Sequence, residues 1–298
     1  TILGVIIGTT SIVVMISIGI GMNKSFENQI QEWGNLQVIE VYNYNNSGTN
    51  TELKLDLPTI ESFKTMEHVE VVTPVLNEYM LLTYDKKYVA DVNFVGVWPE
   101  AMSALGYNVV EGRGLESGDT DVIVVGGTIP QQFYNPKLSW EMRYSTDPPE
   151  VDLSSGRVGI TYDYNYGTRN ADKKIKETKV KVVGMMSESG QSGYSVVVPM
   201  ETLEKIREEK NKYQNPDGAN DNKKKQKVYD NVMVKVDDME HVMDVQKQIK
   251  DMGFTAYSLT DQLESMKETT KMLRIVLGAI GAISMIVAAI SITNTMVM

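Results

Sequence analysis

Residues 275–298 read IVLGAIGAISMIVAAISITNTMVM, without one Asp, Glu, Lys, Arg or His. At a rise of about 1.5 Å per residue, a helix of this length crosses a hydrocarbon core of ~30 Å, so the stretch predicts a transmembrane helix. Gly278, Ala282, Ser284 and Ala288 interrupt its bulky residues. Small side chains let a second helix approach where lipid removes any hydrophobic drive to associate, so this helix is expected to pack against protein. Asn294 is polar deep in the run and reads as a hydrogen-bonded packing residue rather than part of a transport path.

Working outward, Leu263, Met266, Thr270, Leu273, Leu277 and Ile280 alternate at spacings of three and four, the stripe of a helix lying along another helix. The membrane helix therefore extends into an amphipathic stalk. The opposite end repeats the plan. Residues 2–22 (ILGVIIGTTSIVVMISIGIGM) form a second uncharged run, too long and too rich in glycine for a signal-peptide core. Gly4 with Gly8, and Ser17 with Gly21, are small-xxx-small pairs that predict close helix packing. Met22, Phe26, Ile30 and Trp33 carry the helical spacing into a second stalk, and Gly34 is a natural stop. With an apolar run at each extremity, the sequence predicts a fragment of a longer membrane protein.

Between the runs lies a polar segment that carries nearly all of the formal charge of -10. Its size permits one or two hydrophobic cores. The acidic balance excludes a nucleic-acid partner, which requires a basic face. Cysteine is absent, which fits either side of a membrane. Residues 36–41 read as a strand, 58–66 as a helix opened by Pro58, and 69–75 as a second strand. The same grammar returns at 228–236 (strand), at Val242, Val245, Ile249 and Met252 (a helical stripe after a capping box of Asp237 and Glu240, closed by Gly253), and at 254–259 (strand).

The predicted organisation is a transmembrane helix over 1–22, a stalk over 23–34, a membrane-proximal α+β subdomain over 35–75 and 180–259, an inserted β-rich subdomain over 76–179, a stalk over 260–274 and a transmembrane helix over 275–298. The fold class is membrane α-helices plus an α+β ectodomain. A helix is expected from Pro199 through Ile206, and the polar stretch 208–227 is expected to be mobile.

No catalytic, cofactor or metal motif stands out. GxxxxGK[ST] and HExxH are both missing. His68 and His241 each sit in the tetrapeptide MEHV, but the first copy ends a helix and the second begins one, so the match reads as coincidence. A shared metal site would need further ligands. Asp163-x-Asn165-x-Gly167 with Asp172 resembles a calcium loop, yet Thr168 replaces the required glycine and Lys174 the closing Glu, while alternating Tyr162, Tyr164 and Tyr166 favour a strand. Gly112-Arg113-Gly114 reads as a turn, and the basic run Lys223 to Lys227 as a solvated loop.

Leu3-Gly4-x-x-x-Gly8, Ser17-Ile18-Gly19-x-Gly21 and the run 277–298 resemble the first two membrane helices of MacB-type ABC transporter permeases. Gly96-Val97-x-Pro99, Glu111-Gly112-Arg113 followed by Asp119, the segment 196–199 and Gly253-Phe254 are similar to the extracytoplasmic core domain of that family. The resemblance implies a dimer with a second permease copy or homologue, an ABC ATPase carrying ATP and Mg, and an adaptor-like partner. It also implies a multi-pass protein in the lipid bilayer whose stalks transmit ATP-driven motion outward. Alternatives are an FtsX-like regulator of a cell-wall hydrolase and an extracytoplasmic sensor, both sharing the helix, ectodomain, helix plan.

Overall fold

The computed structural model describes residues 2–33, 35–43, 53–145, 147–214 and 227–297. They form two compact units, Thr1–Glu32 with Leu259–Met298, and Trp33–Ser258.

The first unit is a helix pair. α1 (Ile2–Trp33) and α6 (Leu259–Val297) are each unbroken, so apolar run and stalk belong to one helix in both cases. Neither sequence contains proline, which would interrupt the backbone ladder. Among the described residues, α6 is the helix long and apolar enough to cross a membrane by length and composition.

The second unit begins with β1 (Val38–Tyr42), the two-residue β2 (Leu55–Asp56), α2 (Leu57–Lys64) and β3 (Val69–Tyr84). It ends with β11 (Asn231–Val236), α5 (Val242–Asp251) and β12 (Thr255–Ser258). Strands β12, β1, β11 and β3 lie side by side in that order, and each neighbouring pair is antiparallel. This is the interleaved arrangement of two split βαβ units known as ferredoxin-like. Alternation in the strands splits their apolar residues between two faces: Val38 and Val75 pack in one cluster with Met102 and Leu105, and the other face packs on the helices. Ile39, Val41, Val72, Val232 and Val234 share a core with Ile60 and Phe63 of α2 and with Val242, Val245 and Ile249 of α5.

Strand β3 does not stop at Val75. It pairs with β11 up to that residue and then, from Leu76, with β4 (Tyr88–Val97). Pro74, which has no N–H to donate, falls beside this hand-over. The apparent break at Asn77-Glu78 is a polar patch on a continuous strand, where Glu78 receives Arg207 at 3.2 Å and Lys210 at 2.6 Å.

Beyond the hand-over, β3 is followed laterally by β4, β9 (Ser195–Pro199), β6 (Val122–Val125) and β8 (Thr178–Met186). β7 (Val158–Thr161) pairs with both β8 and β3 and so closes six strands into a ring. Closure leaves no free edge among those six. Met80, Leu82, Ala90, Val92, Phe94, Ile123, Val125, Ile160, Val196 and Val198 recur at every second position and are buried in one cluster. β5 (Val109–Gly112) pairs antiparallel with the end of β8, beyond the residues that β8 pairs with β7.

Several expectations need correction here. β8 and β9 belong to the closed ring rather than to the membrane-proximal sheet, because their buried runs pair with β4, β6 and β7. The strand around Tyr162 ends at Thr161, and 163–167 is a turn. The helix begun at Pro199 is α4 (Met200–Gln214), longer than expected since its Glu, Lys and Arg content favours helix and Glu78 anchors two of its cations. Residues 208–214 of the supposedly mobile stretch are therefore helical, and 215–226 lie outside the described residues.

Candidate functional site

Glycines locate the seam of the helix pair. A Cβ on Gly8 would lie 2.6 Å from Met285 Cγ, one on Gly278 would lie 3.3 Å from Met15 Sδ, and one on Gly19 would fall on the Arg274 guanidinium. Contacts at 8 with 285, 15 with 278 and 19 with 274 run in opposite directions, so α1 and α6 are antiparallel neighbours. Gly8, Gly281 and Ala288 are buried, the pattern of close approach through small residues.

Of the residues singled out for packing, Gly8 and Gly278 lie in this seam. Ser17, Gly21, Ala282 and Asn294 are exposed, and nothing approaches Gly21 within 4 Å. In the stalk segments, Leu263 and Thr270 are buried, Met22, Phe26 and Met266 are half-buried, and Leu273 is 48% exposed. Gly4, Ile30 and Trp33 lie outside the residues whose side chains are described. After Thr270 the seam passes to Arg274, Gly278, Gly281, Met285 and Ala288 instead of Leu273, Leu277 and Ile280. A straight helix turns every 3.6 residues, so a strict seven-residue stripe drifts off the contact line within a few turns. Counting at 3.6 would have found Gly281 and Ala288. Ile275, Ile283, Ile286, Val287 and Ile290 stay exposed and give α6 an apolar outer surface.

In the second unit the motif residues perform structural tasks. Gly96 faces Leu203 of α4 at 3.0 Å from its Cβ position, so a larger residue would lift that helix from β4. Gly112 has φ +75, and its Cβ position lies 2.3 Å from the Val183 carbonyl oxygen, so glycine alone suits the bend. The bend delivers Arg113, whose Nη1 and Nη2 donate to the two carboxylate oxygens of Asp119 at 2.7 and 3.0 Å. Asp119 also accepts the Glu116 backbone N–H at 2.9 Å. The Arg113 hydrogen bonds, with that backbone donor, hold the Asp119 carboxyl below the usual carboxylate range. Gly253, at φ +96, ends α5 and turns Phe254 onto Phe63, edge to face at 5.5 Å.

A lowered folded-state pKa means that Asp119 adds stability above its unfolded value, and that this is lost as pH falls through the folded one. Asp119→Asn should therefore lower the melting temperature at pH 7, with a narrower gap to wild type at pH 3, below the ordinary Asp value of about 3.9. Thermal melts at the two pH values measure this, and an equal gap at both would contradict it.

The resembled calcium loop is committed elsewhere. Asp163 accepts the backbone N–H groups of Asn165 and Asp172 at 2.9 Å each, and its carboxylate thus organises the turn. From the basic run, Lys227 pairs with Glu204 at 2.6 Å, and Lys223 to Gln226 lie outside the described residues. The two MEHV copies, read as coincidental, meet: the rings of His68 and His241 stack with centroids 3.5 Å apart. Asp237, expected to cap a helix, instead binds both rings, and Asp238 caps the following turn.

Comparison with known proteins places this architecture. A 115-residue stretch is 28% identical to the macrolide export ATP-binding/permease protein MacB of Shewanella sp. (strain W3-18-1), covering 38% of this chain and 18% of that protein. The chain thus spans a small part of that relative's length. The periplasmic region of MacB from Actinobacillus actinomycetemcomitans superposes with a TM-score of 0.46 at 13% identity, over 82% of this chain and 98% of that one. The extracellular domain of the noncanonic ABC-type transporter YknZ from Gram-positive bacteria gives 0.45 at 12%, over 74% and 100%. Residues 1–252 match the sequence profile of the MacB-like periplasmic core domain, and by that match, which takes in most of its length, the chain belongs to this family.

Proposed function

We propose that this chain is the permease part of a MacB-type ABC transporter, with α1 and α6 both spanning the cell membrane and the Trp33–Ser258 unit outside it. The observation that carries the reading is the family match, which begins in α1 and runs through the ectodomain to residue 252. The uninterrupted course of α1 and α6 supports it further, because a continuous helix transmits displacement along its axis where a hinge would absorb it. ATP and Mg bind to an ABC ATPase on a partner subunit or another domain. Two permease copies form the working dimer, and an adaptor-like protein receives the outward stroke. Export of a drug, peptide or lipid-like molecule then proceeds by motion of the ectodomain rather than by passage between the helices.

The test is deletion of the gene in its host, complemented with the wild-type chain or with the wild-type chain and an ATPase lacking its phosphate-loop lysine. Cellular accumulation of a panel of fluorescent amphipathic drugs and labelled peptides should rise on deletion and fall only with the fully active pair. Unchanged accumulation together with altered cell-wall hydrolysis would replace the exporter by the regulator.

A further inference from the structure

His68, Asp237 and His241 belong to no part of the transport reading. The α2–β3 turn places His68, and the β11–α5 connection places Asp237 and His241, so pairing of β3 with β11 joins residues 169 positions apart. His68 Nδ1 lies 3.0 Å from one carboxylate oxygen of Asp237, and His241 Nδ1 lies 2.8 Å from the other. His68 holds φ +68, a left-handed conformation that histidine adopts at some cost in energy. Its carbonyl accepts the Asp237 N–H at 3.0 Å, which locks that geometry, and a register shift between Lys235 and Val236 brings the chain to it.

We propose that these three side chains form a site for a divalent transition-metal ion of the zinc class. Both imidazoles aim the same nitrogen at one carboxylate, and the three donor atoms lie within 4.8 Å of one another. Zinc bonds of about 2.0–2.1 Å set tetrahedral ligand separations of about 3.3 Å, so the two nitrogen–oxygen contacts of 3.0 and 2.8 Å need open by only a few tenths of an ångström, while the stacked rings must tilt apart for both lone pairs to meet one ion. Each Nδ1 already faces a carboxylate oxygen of Asp237, so one metal ion in place of the two ring protons joins both nitrogens and the carboxylate at a single centre. Two imidazole nitrogens in the donor set favour zinc over magnesium or calcium, which prefer oxygen donors alone. Glu67, Asp238 and Glu240 surround the cluster with negative charge, and the rings are about one-third exposed, which leaves an ion open access. The bound ion would tie the two halves of the split βαβ sheet together, with the remaining coordination position left to water.

The experiment uses the full chain in detergent, free of any histidine tag and stripped with chelator, titrated with zinc chloride by calorimetry and followed by thermal melting. One zinc per chain and a rise in melting temperature are expected, with no rise from magnesium or calcium chloride. His68→Asn keeps a residue tolerant of the left-handed backbone and His241→Gln keeps a hydrogen-bonding side chain; each should weaken zinc binding by about tenfold or more and remove the thermal shift. Undiminished binding in the double variant would overturn the site, as would absence of zinc binding by the folded wild type. Neither outcome bears on export, because no transport is measured.

Discussion

Met266→Pro is expected to abolish export while ATP hydrolysis by the assembled complex continues. Residue 266 lies within α6, a single helix from Leu259 to Val297. Proline there removes the backbone N–H that bonds one turn back and drives its ring into that carbonyl, costing about 3 kcal/mol or more and bending the axis. Thr270, whose hydroxyl donates to the Met266 carbonyl at 3.0 Å, sits on the next turn and would shift with it. The apolar run of α6 and both cores of the Trp33–Ser258 unit are untouched in sequence, so insertion and ectodomain folding should survive. Met266→Ala separates backbone from side chain: it keeps the helix and should retain most of the activity. Drug accumulation in cells, read beside ATPase turnover of the reconstituted complex, checks both variants. Normal export by the proline variant would show that α6 carries no stroke, and the mechanical part of the proposed function would fall.

How much of this was legible in the sequence depended on how local each signal is. The two uncharged runs, the Pro58 helix and the stripe of Val242, Val245 and Ile249 could be read directly, because helical periodicity is a property of neighbours in the chain. Ring closure was not legible. It depends on β7 finding β3 and β8, and Val-Gly-Ile-Thr contains nothing that names its partners. The extension of β3 past Val75 was hidden by Asn77 and Glu78, whose polarity matches a loop until Arg207 and Lys210 are seen on the neighbouring helix.

The site residues divide along the same line. Gly112, Arg113 and Asp119 were marked only by resemblance, yet their roles follow from a left-handed bend and a two-pronged ion pair seven positions wide. His68 and His241 share a tetrapeptide that carried the hint, but the preceding elements differ, and their meeting depends on strand register. Asp237 matched a capping pattern well enough to conceal its bonds to both rings.

Phe63→Ala should produce the largest loss of stability in the ectodomain. Phe63 is fully buried, follows Ile60 by three positions on α2, and meets Phe254 edge to face at 5.5 Å and 83°. The helix is fixed independently by Asp56, whose carboxylate accepts the Thr59 N–H at 3.0 Å, so α2 cannot readily collapse into the vacated space. Phe→Ala in such a site removes about 3–5 kcal/mol through lost transfer energy and the residual cavity. For a domain of this size each kcal/mol shifts the melting temperature by roughly 2–4 °C, giving a fall of roughly 6–20 °C. Ile249→Val, in the same core on α5, removes one methylene and should lose only about 0.5–1.5 kcal/mol. Melting of the full chain in detergent, followed by near-ultraviolet circular dichroism, resolves the two magnitudes. Equal small shifts for both variants would mean that α2 moves in to fill the space, and that the packing of Phe63 on Phe254 does not hold the split βαβ sheet to its helices.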